Sequence, residues 1–351
     1  MEKLNLFFGM NGMGKSSVIQ SMLLLRQSYW SSKSKALVGL KVSGELIKLG
    51  TSADILCQNA EEDTIRFIVG FSDSRRLDVK YFNEIHTPTS VLKVFNPENA
   101  FISFAEEESL FGSGFVYLAA DHIEPRSEYG YSEWDKEGIN PFGNHGEFAV
   151  PYVAFNGNTF RVPEELCLTQ GTTDRLFDQL SAWMSRISPG VKLYASYSPF
   201  EERAKLDIRY EGQRLNSTPF LPVNVGFGIP YALPLVVALL TSSENGLLLI
   251  ENPESHLHPK GQAAMAELIA RAARHGTQII CESHSDHIIN GIRVAVKTQT
   301  LPSKDLSIVY FDKDWDQSTK TVEISVDDNG NLSEYPEGLL DEWGILMSEL
   351  L

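Results

Sequence analysis

The sequence predicts an α/β fold, and three observations carry that reading. A short apolar run, Leu4 to Phe8, ends in Gly9 and gives way at Ser16 to a helical pattern. From Ile229 to Phe311, apolar strand-like runs alternate with helical ones. Between these regions, Leu37 to Val94 is β-rich, with alternating runs broken by Asp, Ser, Pro and Gly, which marks an insertion within the α/β pattern.

The elements follow in order. Leu4–Phe8 reads as a buried strand. The helix after Ser16 puts Val18, Ile19, Met22, Leu23 and Leu25 on its apolar face. Thr64–Phe71, Leu77–Phe82 and Phe115–Ala120 read as strands. Asp121 to Asn158 is rich in Gly, Pro, Asn and aromatics, lacks periodicity, and is expected to be an ordered loop region. Asp174–Ile187 is expected as a helix, with strands at Val191–Tyr197 and Ala204–Tyr210. Helices are then expected at Ile229–Leu240, Lys260–His275 and His287–Lys297, interleaved with strands at Leu247–Glu251, Thr277–Cys281 and Ser307–Phe311. Asp316–Thr319 reads as a turn into a strand at Val322–Val326. Pro336 to Leu351 reads as a closing amphipathic helix with Leu339, Leu340, Trp343, Leu346, Met347 and Leu350 on one face.

Composition narrows the function classes. No stretch reaches the ~20 apolar residues of a membrane span, and the N-terminus has no export-signal pattern. Cys57, Cys167 and Cys281 are scattered and odd in number, which favours reduced thiols and a cytoplasmic setting over a disulfide frame. The formal net charge of −16 disfavours non-specific nucleic-acid binding, which depends on Lys and Arg. Thr321 to Leu351 holds eight acidic residues and no basic one.

The chemistry-bearing motif is Gly9-x-x-x-x-Gly14-Lys15-Ser16, a complete phosphate-binding-loop pattern between a strand and a helix. Gly9, Gly12 and Gly14 let backbone N–H groups close on phosphate oxygens without Cβ clashes, and Asn11, Met13 and Ser17 complete the loop. The following helix turns its positive end toward the same anion. Lys15 supplies a point charge for the β- and γ-phosphates, and Ser16 a hydroxyl ligand for magnesium. The ligands so implied are ATP and Mg²⁺. A second element, Leu247 to Glu254, is an apolar strand that ends in the carboxylate of Glu251, an oxygen ligand of the kind magnesium requires.

With Ser255-His256-Leu257-His258-Pro259 following, the chain resembles the ABC-class ATPases of the SMC, RecF and OLD type, usually labelled AAA family ATPases. The matching segments are Gly9–Ser17, Tyr117-Leu118-Ala119-Ala120, Asn224–Ile229, Leu247–Pro259, Glu282-Ser283-His284-Ser285 and Tyr335-Pro336-Glu337-Gly338…Trp343. The last belongs to an uncharacterised C-terminal domain found in the closest group of that class. The resemblance implies an ABC-type head. Its core would be residues 1–34 and 221–351, with a β-rich arm at 35–120 and a mixed insertion at 121–220. It implies that Glu251 holds the magnesium shell, that Ser255–His258 lies across a dimer interface, and that His284 senses the γ-phosphate. Asn224, Gly226 and Gly228 would meet the ATP of a second protomer. The implied function is ATP-dependent dimerisation, with slow hydrolysis, that controls a separately encoded effector in anti-phage defence or DNA maintenance. A directly DNA-binding, RecF-like repair ATPase is the alternative.

Two departures stand out. The class places its catalytic glutamate directly after the magnesium carboxylate; here that position is Asn252, which cannot act as a base, so either Glu254 takes the role or hydrolysis is slow. The signature region lacks Ser-Gly-Gly-Gln, and Pro230 stands where related chains often have Ser. Three weaker patterns remain. His256-x-His258 with His284-x-x-His287 has spacings a metal site could use, but the resemblance already accounts for most of these residues. Ile308 to Asp314 looks like the strand and Asp-x-Asp of a Toprim nuclease, without the length such a domain needs. Asp121, His122, Glu124 and Arg126 read either as a solvated loop or as a loop near the γ-phosphate.

Overall fold

The computed structural model describes residues 1–57, 60–83, 88–130, 140–211, 217–313 and 319–350. In chain order the strands are β1 (Leu4–Gly9), β2 (Gly39–Lys41), β3 (Thr64–Gly70), β4 (Arg76–Phe82), β5 (Val91–Lys93), β6 (Phe115–Leu118), β7 (Tyr129–Gly130), β8 (Val191–Ser198), β9 (Arg203–Tyr210), β10 (Leu247–Glu251), β11 (Gln278–Glu282), β12 (Leu306–Lys313) and β13 (Thr319–Ile324). The helices are α1 (Lys15–Ser31), α2 (Ser52–Ile55), α3 (Ala149–Asn156), α4 (Leu176–Ile187), α5 (Gly228–Leu240), α6 (Pro259–His275), α7 (Asp286–Lys297) and α8 (Glu342–Leu350). The chain forms two compact units, Met1–Lys15 with Val116–Leu351, and Ser16–Phe115.

The first unit is built on a sheet of order β13-β12-β1-β11-β10-β6. Strands β10, β11, β1 and β12 run parallel, and β13 returns antiparallel to β12. Every residue from Leu4 to Phe8 and from Leu247 to Ile250 is buried, which is why these strands read as unbroken apolar runs. This is the α/β P-loop architecture that the sequence predicts. A second sheet, β7-β9-β8, lies within the same unit. Helix α5 is buried on all sides from Ile229 to Leu240. Helices α6 and α7 approach closely at Gly291, where a Cβ would stand 2.6 Å from that of Ala266.

In the second unit, β2 pairs with β5 and β3 with β4, each antiparallel. Two buried polar side chains tie α1 to this unit. The Arg26 guanidinium donates to the carbonyls of Leu110 (2.7 Å) and Gly112 (3.0 Å) and stacks on Phe115. The Gln27 amide donates to the Lys41 carbonyl and accepts from the Ile47 N–H.

Three expectations need correction. The 121–158 region is not all loop: it contains β7 and α3. Helix α3, Ala-Val-Pro-Tyr-Val-Ala-Phe-Asn, is apolar around most of its circumference, so it carries no amphipathic signal. The closing helix begins at Glu342, not Pro336. Gly338 (φ 85°) and Leu340 (φ 63°) put the preceding segment in left-handed backbone, and the Gly338 N–H donates to Asp341. Leu339 is buried, but Leu346, Met347 and Leu350 are exposed, so these residues do not form one buried face; the Trp343 side chain lies outside the described residues. Third, His122 is buried, which ends the reading of its loop as wholly solvated. Asp314 and most of the Asp316–Thr319 turn also lie outside the described residues. No helix among those described is long and apolar enough to cross a membrane.

Candidate functional site

The site forms at the C-terminal ends of β1, β10 and β11, the edge at which open parallel sheets present their ligand crevices. Register brings it together: Phe7 is level with Glu282, and Glu282 with Glu251.

Gly9, Gly12 and Gly14 have φ of 134°, 77° and 97°, backbone that only glycine adopts freely. Their surroundings differ. A Cβ on Gly9 would run into the Phe311 carbonyl, because β1 ends directly beside β12. Gly12 faces open space. Asn11 and Ser17 are exposed, Met13 and Ser16 half-buried. Lys15 is 3 % exposed, and its ammonium donates to the carbonyls of Gly9 (2.8 Å) and Met10 (2.9 Å). Burial lowers its pKa, and the nearby Glu282 carboxylate, 3.9 Å away, opposes that shift.

Glu251 closes β10. Its carboxylate accepts from the Tyr117 hydroxyl at 2.9 Å and from the Ala120 N–H. Burial raises its pKa, as it does that of Glu254. Asn252 is in left-handed backbone (φ 49°), a conformation its short polar side chain tolerates. Its N–H donates to the Glu282 carbonyl, and its buried Oδ1 has no hydrogen-bond partner. Glu254 turns toward the loop after β11: Oε2 accepts from the Ser283 hydroxyl (2.8 Å) and Oε1 from the His284 N–H (2.7 Å). The Ser285 side chain then caps α7 and donates to Gln262 on α6, which fixes the loop that carries His284. The His284 imidazole is 38 % exposed and its Nε2 lies 4.0 Å from Glu282; burial, with Lys15 nearby, lowers its pKa.

Asn224, Gly226 and Phe227 are exposed, and their loop packs against the segment after Glu254. The Phe227 and His256 rings are 5.8 Å apart, and a Cβ on Gly228 would stand 2.5 Å from the His256 carbonyl. Gly228 is therefore required by packing within the chain. Gly226 has nothing within 4 Å of a Cβ and faces outward.

Two residues that sequence reasoning gave no role belong to this edge. Glu282 lies between Lys15 and His284, and Tyr117 holds Glu251. Both stand inside segments whose pattern was visible, but their neighbours are set by strand pairing and not by spacing along the chain. Among the described residues, no group of three His, Cys, Asp or Glu side chains is arranged to hold a metal by itself.

Buried His122 joins this edge to α5. Its ring stacks on Tyr231 at 4.1 Å and donates from Nδ1 to the Tyr231 carbonyl (2.9 Å), while the Tyr231 hydroxyl donates to Ala120. Burial lowers the His122 pKa to about 4 from 6.5. The unfolded chain therefore binds more protons between those values, and stability is lost as pH falls from 6.5 toward 4. Chemical denaturation at pH 6.5 and pH 5 should show a smaller loss for His122→Phe than for the wild type; equal losses would contradict the buried neutral imidazole.

Residues 4–290 match the family described as "AAA domain, putative AbiEii toxin, Type IV TA system". Residues 301–350 match one described as a protein of unknown function, DUF3696. No curated protein matches the chain. Among solved structures the chain is similar to an SMC head bound to the C-winged helix domain of ScpA, at 12% identity over 92% of this chain and 90% of that one, TM-score 0.49. It is similar to the SMC head domain from Thermotoga maritima at 12% identity over 92% and 90%, TM-score 0.42. It is also similar to a Pyrococcus furiosus SMC head with an extended coiled coil, bound to the C-terminal domain of ScpA, at 14% identity over 99% and 92%, TM-score 0.45. The two family matches agree with the two parts of the resemblance read from the sequence, an ATPase head and an uncharacterised C-terminal segment. The first of them runs from β1 into α7 and covers most of the chain, which therefore belongs to that AAA-domain family.

Proposed function

We propose that the chain binds Mg-ATP on the Gly9–Ser17 loop, hydrolyses it slowly, and uses the bound nucleotide to bring two copies together head to head. The observation that carries this is the convergence of Lys15, Glu251, Glu282 and His284 on one edge of the sheet, next to a glycine cradle with open space at Gly12.

The residues present fit both parts of Mg-ATP. The positive-φ glycines can aim N–H groups at phosphate oxygens, and Lys15 places a cation there. Magnesium takes oxygen ligands and binds through one or two carboxylates together with the phosphates. Glu251 supplies a carboxylate held by Tyr117, and Ser16, next to Lys15 in the chain, supplies a hydroxyl. When bound, the ion would neutralise charge on the phosphates. Lys15 would bind the β- and γ-phosphates. His284, partly exposed on a loop pinned by Glu254, would meet the γ-phosphate and report its presence.

Asn224, Gly226 and Gly228 would provide a second copy's contacts to that phosphate, with the positive end of α5 behind them. The surroundings suit an interface, since Val223 (52 %) and Phe227 (59 %) are exposed apolar side chains beside these positions. ATP would then stabilise the pair to the extent that it binds the closed state more tightly than the open one. The family description names a toxin of a type IV toxin–antitoxin system. We read the ATP-driven pair as controlling a separately encoded effector in defence. The net charge of −16 weighs against direct DNA binding as the main activity.

Calorimetry tests the site assignment. Wild type should bind ATP more tightly with Mg²⁺ than without, and Glu251→Gln should lose about tenfold of that magnesium-dependent gain, the scale expected when one hydrogen-bonded ionic contact is removed. An unchanged magnesium dependence would remove Glu251 from the metal site.

A further inference from the structure

Helices α6 and α7 pack closely at Gly291, and along that contact they border an open groove of about 610 Å³. It runs along both helices, from Lys260 and His287 to Glu267 and Thr298. Ala263, Gly291 and Ala295 line it with little side-chain bulk, and exposed Val294 adds an apolar surface. Small residues at such a place leave room for the larger apolar side chains of a docked helix.

The groove is also the basic part of an acidic chain. Helices α6 and α7 carry Lys260, Arg271, Arg274, Arg293 and Lys297 against Glu267 and Asp286, and Glu267 is shared by Arg271 and Arg186. The matching surface is in the same sequence. Thr321 to Leu351 holds eight acidic residues and no basic one, and it ends in α8, where Ile345, Leu346, Met347 and Leu350 are exposed. An apolar helix in an acidic segment has the shape and sign that the groove lacks.

The root of α8 decides whose groove it reaches. Leu339 is buried, and the Tyr310 hydroxyl donates to the Glu337 carbonyl, which fixes the segment before the helix. That segment borders α7 beside Asp286 and Arg293, whereas the groove lies beside Gly291 and Val294. Helix α7 therefore stands between α8 and the groove of its own chain, and the apolar side chains of α8 remain uncovered there.

We propose that the groove between α6 and α7 receives α8 of a second copy of this chain, and that two copies exchange these helices reciprocally. Such an exchange is isologous, so each pair of copies uses the groove twice and closes on itself. It needs no nucleotide and does not rest on the ATPase reading above.

The test is crosslinking between copies without nucleotide. All chains carry Cys57→Ser, to remove an exposed thiol, and Gly226→Glu, to remove the proposed ATP-driven contact. One tagged chain adds Val294→Cys and a second adds Leu346→Cys; both positions are exposed, so neither change disturbs the core. A short bismaleimide should join the two chains when they are mixed, with about tenfold more product than either chain gives alone. Lys260→Glu in the Val294→Cys chain should lower that product about tenfold, because it sets like charges against each other. Removal of residues 342–351 should weaken nucleotide-free association in light scattering by a similar factor. No joined product on mixing overturns the proposal. So does a chain with both cysteines that closes only within itself, which would mean that α8 covers its own groove. A joined product that Lys260→Glu leaves unchanged, with association that survives the loss of 342–351, also overturns it.

Discussion

Replacing Lys15 with alanine is expected to weaken ATP binding by about a hundredfold or more, the scale of a charge-assisted phosphate contact of roughly 1.5–3 kcal/mol together with its ionic partners. The lysine is buried, yet it fills no part of an apolar core. Its ammonium donates to two carbonyls of its own loop and faces Glu282, so its loss removes charge from the phosphate cradle without opening a cavity among hydrophobic side chains. One local cost is expected, since Glu282 keeps its charge without the facing cation. Circular dichroism should show the fold retained, and calorimetry should show the lost affinity. Wild-type affinity in a folded Lys15→Ala chain would contradict the phosphate-binding role of the whole loop.

Gly226→Glu is expected to leave ATP binding within about threefold of wild type and to abolish any ATP-dependent association, because a buried interfacial carboxylate near a phosphate is unpaired and repelled. The structure makes this the cleaner of the two glycine tests. Gly226 is exposed, nothing lies within 4 Å of an added Cβ, and its φ is not in the left-handed region, so the substitution costs little within one chain. The same change at Gly228 would drive a side chain into the His256 carbonyl, and its effect could arise inside a single copy. If Gly226→Glu still associates on ATP, the Asn224–Gly228 loop does not face the partner's nucleotide.

Local patterns made much of the fold legible. The P-loop follows a wholly buried strand, and β10 is an unbroken apolar run ended by a carboxylate, so both could be placed from residue spacing alone. Helix α3 could not, because its apolar residues circle the helix. The apolar pattern of 336–351 predicts a longer closing helix than the one that forms, because it gives no warning of the left-handed backbone at Gly338 and Leu340. Within the site, Glu282 acquires its neighbours from parallel pairing of β11 with β1 and β10, across more than 270 residues in the first case. Tyr117 meets Glu251 because β6 lies next to β10. Neither relation leaves a trace in spacing along one sequence. The departure at Asn252 has a conformational reading, since that position is held in left-handed backbone.

If ATP bridges two copies of this chain, its mass in solution depends on the nucleotide present. Light scattering of the 351-residue chain at micromolar concentration should give a larger particle with Mg²⁺ and a non-hydrolysable ATP analogue than with Mg-ADP or no nucleotide. Either a shift from monomer to dimer or a tightening of an existing assembly would fit. Lys15→Ala and Gly226→Glu should both lose the response, the first with loss of binding and the second without it. A wild-type chain that binds the analogue tightly and shows the same mass and the same dissociation on dilution in all three conditions would contradict the account.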